Sequence, residues 1–349
     1  MKDTVFVGAA YWDKAANGAV TQGLFRLDRD AGKLLPVSDG LPDDLEVRFI
    51  TFRGPDKVYV GAQDGIYRSD DGGQNWAHKG LPGQERKVWS ILPIGEKSLY
   101  VGTEGTTVYK SDDDGETFRE LNVPKPEGFV DMGFPNRVIR MAADPANTDE
   151  IYVGLEVSGI VRSLDGGETW TDCSGGLIDL ANSQDRLKSK IGSNTFTEGM
   201  MDSHSLTISP THPGTVILAN RMGLFISHDK GDTWAEMGIG KHSELTYCRD
   251  VKVFPHDPET LLGAFSDSAR GVSGSLYRSK DFGKSWTRFD KGVTMNSTLM
   301  ILGASPQTPD RVYCAARKGQ VFGTEDGGRT WKEFDLPPFV KDVYALACA

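Results

Sequence analysis

"SDDGGQNW" at residues 69–76 returns with small changes as "SDDDGETF" at 111–118, "SLDGGETW" at 163–170, "SHDKGDTW" at 227–234, "SKDFGKSW" at 279–286 and "TEDGGRTW" at 324–331. Self-similarity at this spacing decides the architecture before any single element does. Ahead of each octet lie stretches such as "KVYVGAQDGIYRS" (57–69) and "EIYVGLEVSGIVRS" (150–163), where β-branched and aromatic residues flank a glycine turn. They predict two strands joined by a hairpin that runs into the octet. A further run precedes them, as in "EVRFITF", "KVWSILP", "RVIRMAADP", "HSLTISP" and "RDVKVFP", and a short one follows the octet's aromatic residue. The unit is a four-stranded antiparallel sheet.

A degenerate copy, "LDRDAGKL" at 27–34, aligns Asp30 and Gly32 with Asp71 and Gly73, which sets seven octet starts 41, 42, 52, 64, 52 and 45 residues apart. Counting the leading runs instead, from Val47, Val88, Val138, His204, Arg249, Thr298 and Asp342, also gives seven. The first unit opens on its second strand, "TVFVGAA" (4–10), and its missing first strand stands at the other end as "DVYALACA" (342–349). Pairing the two would close a ring of sheets and leave no open edge at either terminus. The expected fold is all-β: one domain over residues 1–349, a seven-bladed β-propeller with a split closing blade.

The octets resemble Asp boxes, S-x-D-x-G-x-T-W, the signature of the BNR-repeat propellers, a superfamily that includes sialidases, xyloglucan hydrolases, sortilin-type receptors and photosystem assembly factors. The resemblance implies that each octet turns between third and fourth strands on the outer rim. Its Asp would accept bonds from its own backbone while glycines such as Gly73 and Gly167 take positive φ. Calcium wants 6 to 8 convergent oxygens, and one inward Asp per octet points to a folding staple instead.

The formal charge of −10, with no run of Lys or Arg, argues against nucleic acid and anionic membranes as partners. The amino-terminal "MKDTVFVGAAYWDKAANGAV" is a poor secretory signal, and no segment reaches the ~18 apolar residues of a membrane span; a cytoplasmic protein is expected. Cys173, Cys248, Cys314 and Cys348 show no C-x-x-C spacing, so free thiols are expected, with no metal cluster and no cofactor. The oligomeric state is left open.

Function is sought in the funnel formed by the starts of the inner strands and the loops joining second to third strands. Three long connections, 122–136, 171–203 and 266–274, fall in one sector and read as walls or lids. The inner runs there open on polar groups: Asn136, Arg137 and Arg140; Asp202 and His204; Tyr247, Cys248 and Arg249. Glu104, Glu156 and Arg221 belong to hairpin loops of the same sector, and Trp89 to a neighbouring inner run. As a set they offer acid–base chemistry, with His204, Asp202 and Glu156 as catalytic candidates. Arg137, Arg140, Arg221, Tyr247, Arg249, Glu104 and Trp89 are the candidates for binding substrate. Each also has a structural counterpart: a His bonded to a backbone carbonyl, arginines in ion pairs, an Asp capping a loop.

"NRVIRMAADP" lacks the R-I-P of sialidases, so their arginine triad is not assembled. Two functions stay open. One is a hydrolase or lyase acting on a small polar or anionic, carbohydrate-like ligand; the other is a non-catalytic scaffold receiving a peptide or protein partner.

Overall fold

The computed structural model describes residues 3–10, 23–83, 85–340 and 342–349; residues 1–2 and 11–20 of the amino-terminal stretch read above lie outside the described residues. Every hairpin predicted from the repeats forms, and the strands assemble into seven sheets of four antiparallel strands. Numbered by their innermost strands, blades one to seven begin with Phe49–Arg53, Val88–Ile94, Val138–Asp144, Ser203–Ile208, Tyr247–Phe254, Leu299–Ala304 and Val343–Cys348. The fold is a seven-bladed β-propeller.

Blade seven joins the two ends of the chain. Val5–Ala9 pairs antiparallel with Val343–Cys348, and the Thr4 and Ala349 amides each donate to the other's carbonyl at 3.0 Å. Asp3 fastens the same end to blade six, accepting from Arg311 Nη1 at 3.1 Å and Thr308 Oγ1 at 3.3 Å.

Each blade packs against two neighbours, which explains why the second strands are apolar on both faces. Val5–Ala9, Val216–Asn220 and Val312–Ala316 are buried throughout. The cores lie between blades, as where Phe6 and Ala345 of blade seven meet Val47, Val60 and Trp76 of blade one. Outermost strands shrink to two residues at Thr171–Asp172, Ala235–Glu236 and Thr287–Arg288, too short to template pairing with another chain.

The octets close the turn between third and fourth strands. Ser69 Oγ accepts from the Gly73 amide at 2.8 Å, while Asp71 Oδ1 accepts from the Gln74 and Asn75 amides at 2.9 Å each. Gly73 has φ +88°, and a Cβ there would lie 2.3 Å from the Phe6 ring, so glycine is required both for its conformation and for the close approach. The same bonds recur at Ser163 and Asp165, and the Thr169 hydroxyl and amide hold that carboxyl down at about 2. With both oxygens already accepting, this Asp has little left for a cation. Among the described residues no group of three His, Cys, Asp or Glu side chains is placed to hold a metal.

Two local expectations need correction. In the degenerate copy the strands pair through Asp28–Lys33, which makes the turn shorter than the octets', and Asp28 Oδ1 accepts the Ala31 amide at 3.0 Å. The insertion 171–203, read as a loop, contains a helix at Gly175–Ser183 and a turn of helix at Glu198–Met201. Leu177 and Ala181, four apart on one helical face, bury against Met200, Met201 and Trp234. Among the described residues no helix is long and apolar enough to cross a membrane.

Candidate functional site

The innermost strands line the central channel, and at the start of six of them the ladder slips by one residue. Val88 pairs with Thr103 but Ser90 with Gly102, leaving Trp89 as the extra residue; the same slip singles out Ile139, His204, Arg249, Met300 and Tyr344. A β-bulge of this kind re-aims a side chain out of the pleat. Five of the six, all but Met300, line one cavity of about 770 Å³. Arg48, immediately before the first strand of blade one, joins them.

Of the residues singled out from sequence, His204, Asp202, Glu156, Arg137, Arg221, Tyr247, Arg249, Glu104 and Trp89 all line this cavity. Arg140 does not. It stands three residues beyond Arg137 along the strand, roughly 10 Å at strand rise, and opens into a separate cavity. The three long connections contribute Phe134, Ile191 and Arg270 to the wall. Sequence reasoning missed Arg48, Lys87, Ile139 and Tyr344. Setting the seven inner runs in register on their bulge positions exposes three of these; Lys87 precedes Val88 and carries no such mark.

Two carboxyls in the cavity are pushed in opposite directions. Burial raises Glu156 to about 7, with the nearby Asp202 charge adding to it, although Arg137 Nη1 donates to Oε1 at 2.9 Å. The other oxygen, Oε2, is buried without a partner; the 18% of this side chain left accessible is elsewhere on it. Burial alone would also raise Asp202, but His204, Arg221 and Arg249 outweigh it and hold it below the usual carboxylate range. Arg221 Nε donates to Asp202 Oδ2 at 3.1 Å.

His204 is buried, with Nδ1 at 2.7 Å from the Cys248 carbonyl and Nε2 at 3.2 Å from both Asp202 Oδ2 and the Tyr247 hydroxyl. The carbonyl can only accept, so the proton sits on Nδ1. Burial lowers the ring's pKa against the pull of Asp202, and a neutral ring then accepts the Tyr247 proton at Nε2. A depressed Asp202 and a neutral His204 pull against each other as a pair. Asp202 remains ionised because Arg221 and Arg249 stay charged whichever state the ring adopts. The Nε2–Asp202 contact becomes a hydrogen bond only when the ring takes up a second proton.

Two guanidiniums lie over the Trp89 ring, Arg137 at 4.2 Å and Arg48 at 4.5 Å from its centroid. Arg48 also lies over Tyr344 at 5.3 Å. The Asn136 amide ties down the loop behind them through the Val130 carbonyl at 2.9 Å and Ser158 Oγ at 2.8 Å. Six cationic side chains line the cavity (Arg48, Lys87, Arg137, Arg221, Arg249, Arg270) against three acidic ones (Glu104, Glu156, Asp202). In a chain of net charge −10, this local excess of positive charge favours anions.

No family model matches the chain. An oligoxyloglucan-reducing end-specific xyloglucanase of Emericella nidulans is 22% identical over 275 residues, 67% of this chain and 31% of that protein. The photosystem II assembly lipoprotein Ycf48 of a Synechococcus species is 26% identical over 267 residues, 68% of this chain and 75% of that protein. Among solved structures, a GH74 enzyme of Niastella koreensis superposes with a TM-score of 0.63 at 20% identity, over 85% of this chain and 46% of that one. These neighbours share the propeller fold. The chain spans about a third of the length of the xyloglucanase it matches, so activity has to be argued from the site.

Proposed function

We propose that this propeller is a glycoside hydrolase whose funnel takes a polar, anionic carbohydrate. The observation that carries the reading is the divergence of two carboxyls within one cavity: Glu156 raised to about 7 and Asp202 held low. Two carboxyls tuned apart are the acid and the base that glycosidic cleavage requires. Glu156, which keeps its proton up to about pH 7, gives it to the departing glycosidic oxygen as the C–O bond breaks. Asp202, ionised, takes the proton of the water that attacks the anomeric carbon. His204 and Arg221 position Asp202, and Tyr247 shares a proton with His204. Arg137 orients Glu156, and with Arg249 and Arg270 it faces the negative groups of the ligand. The xyloglucanase likeness supports a carbohydrate as substrate, and the resemblance of the octets to the BNR repeat agrees with it.

The test is hydrolysis of a panel of neutral and uronic-acid oligosaccharides, followed by the pH profile of kcat/KM on the best of them. Activity should fall on the alkaline side as Glu156 loses its proton near 7, and on the acid side as Asp202 gains one below the usual carboxylate range. Glu156→Gln should abolish turnover without preventing binding. A profile whose alkaline limb persists in Glu156→Gln would overturn the assignment.

A second reading, a non-catalytic scaffold, is favoured by one observation. Two of the long connections that wall the funnel also carry exposed apolar residues, Phe196 (55%) and Val272 (71%), the kind of surface that a partner covers. The likeness to an assembly lipoprotein over 75% of its length points the same way. Saturable binding of a peptide in the funnel, with no hydrolysis across the whole panel, would establish this reading over the first.

A further inference from the structure

Arg140 lies outside the funnel. It opens into a cavity of about 660 Å³ formed by residues further along the inner strands, among them Phe49, Leu206, Asp250, Val251, Lys252 and Leu346. Its guanidinium lies over the Phe49 ring at 4.8 Å, and its Nε is buried with no acceptor. The acid of this cavity is already engaged: Asp250 Oδ1 accepts from Ser205 Oγ at 2.7 Å and Oδ2 from the Leu302 amide at 3.1 Å. Lys252 sits 3.9 Å from Asp250 and donates to the Leu302 carbonyl at 2.6 Å. Among the described residues no carboxylate forms an ion pair with Arg140; burial works against its charge most, Asp250 supports it from a distance and Arg249 opposes it, and the net effect lowers its pKa. Arg140 is part-buried, with its Nε shut away from water and no acceptor paired with its guanidinium, so its donors are available to an anion entering the cavity.

We infer that this cavity is a second ligand site, separate from the funnel, for a small amphipathic carboxylate. The carboxylate pairs with Arg140 through the two-pronged geometry that guanidinium favours. The apolar body packs on Phe49, Leu206, Val251 and Leu346. The volume suits a molecule of about ten to twenty heavy atoms, and the apolar wall distinguishes the site from the polar funnel. The inference uses neither the catalytic assignment nor the identity of the funnel ligand.

The probes are benzoate, its uncharged isostere benzamide, and inorganic phosphate, titrated into ¹⁵N-labelled protein while the Arg140 Nε–Hε resonance is followed. Benzoate should shift that resonance to saturation, and benzamide should bind about tenfold more weakly or less, the difference expected for a charge-assisted pair. Arg140→Gln should abolish benzoate binding, Phe49→Leu should weaken it, and Arg137→Gln, which alters the funnel, should leave it in place. Phe49→Leu keeps the test informative should Arg140→Gln fail to fold. Equal binding of benzoate and benzamide, or benzoate binding that disappears in Arg137→Gln, would overturn the second site. Phosphate shifting Arg140 as strongly as benzoate would overturn its amphipathic character.

Discussion

Replacing Glu156 by Gln should stabilise the protein at pH 8 and leave its stability nearly unchanged at pH 5. The reason is proton linkage. In the unfolded chain this carboxyl ionises near its ordinary 4.5, whereas in the folded protein it holds its proton to about 7. Between those values the folded state binds more protons than the unfolded one, so folding free energy is lost as pH rises through the window. At about 1.4 kcal/mol per tenfold change in proton affinity, the full displacement is worth about 3 kcal/mol above pH 7. Water reaching a side chain that is 18% accessible reduces this, to an expected gain of about 1–3 kcal/mol for the neutral isostere. The pairing with Arg137 is already contained in the raised value, so it is not subtracted again. Urea unfolding of wild type and Glu156→Gln at pH 5, 6, 7 and 8 gives two curves that should converge at low pH and separate with a midpoint between 4.5 and 7. Parallel curves, or a Gln variant less stable at pH 8, would refute the reasoning. The same variant is the one expected to lose hydrolysis, so activity and stability should move in opposite directions, as they do where an active site is held in an unfavourable state.

The octet staple is tested by Ser227→Ala: the buried hydroxyl accepts the Gly231 amide at 2.7 Å, so its loss should cost about 1–3 kcal/mol in chemical unfolding, with ligand affinity in the funnel unchanged. Glu198, completely buried, accepts from the Ile191, Gly192 and Ser193 amides and from Ser193 Oγ. Glu198→Ala should raise the rate of proteolytic cleavage within 188–197 and lower affinity in the funnel, which Ile191 lines. Deleting residues 342–349 removes the innermost strand of blade seven and bares the Val5–Ala9 edge; size-exclusion chromatography should show aggregation, and a monomer with unchanged Tm would contradict the closure.

The blades were legible because the octet turn needs particular residues at fixed offsets. Gly73 must take positive φ against Phe6, Asp71 must reach the amides three and four residues on, and Ser69 must accept from Gly73. Those requirements repeat in every well-formed copy, so the chain shows them as text. The helix at Gly175–Ser183 was not legible: it begins on two glycines and its buried face is Leu177 and Ala181, too little periodicity to register. Arg140 was placed with the funnel because inner-strand starts were treated as a block. In that block Arg137 and the bulged Ile139 line the funnel, whereas Arg140, the first residue past the bulge, lines the other cavity; a one-residue slip exchanges the faces of a strand.

That bulge also explains how one fold can carry a site with so little shared sequence. Outer turns and middle strands are constrained by backbone geometry and by packing between neighbouring blades, so substitution there costs stability. The bulged residue is released from the pairing of the ladder. It sits where the ladder has already been given up, its side chain leaves the sheet, and its blade stays closed whether it is Trp89, Ile139, His204, Arg249 or Tyr344. Seven blades thus offer a ring of positions around the funnel that can change chemistry without disturbing the scaffold, each pre-organised by rigid strands on both sides. In this chain the bulges supply one imidazole, one guanidinium and two aromatic rings, Arg48 adds a second guanidinium, the adjoining hairpin loops add Glu104 and Glu156, and Asp202 stands two residues ahead of His204. The exchange Arg249→Met, which borrows the residue that blade six carries at this position, should accordingly fold with a Tm close to wild type yet bind anionic ligands poorly. Loss of folding in that variant would show that the ring is part of the scaffold after all.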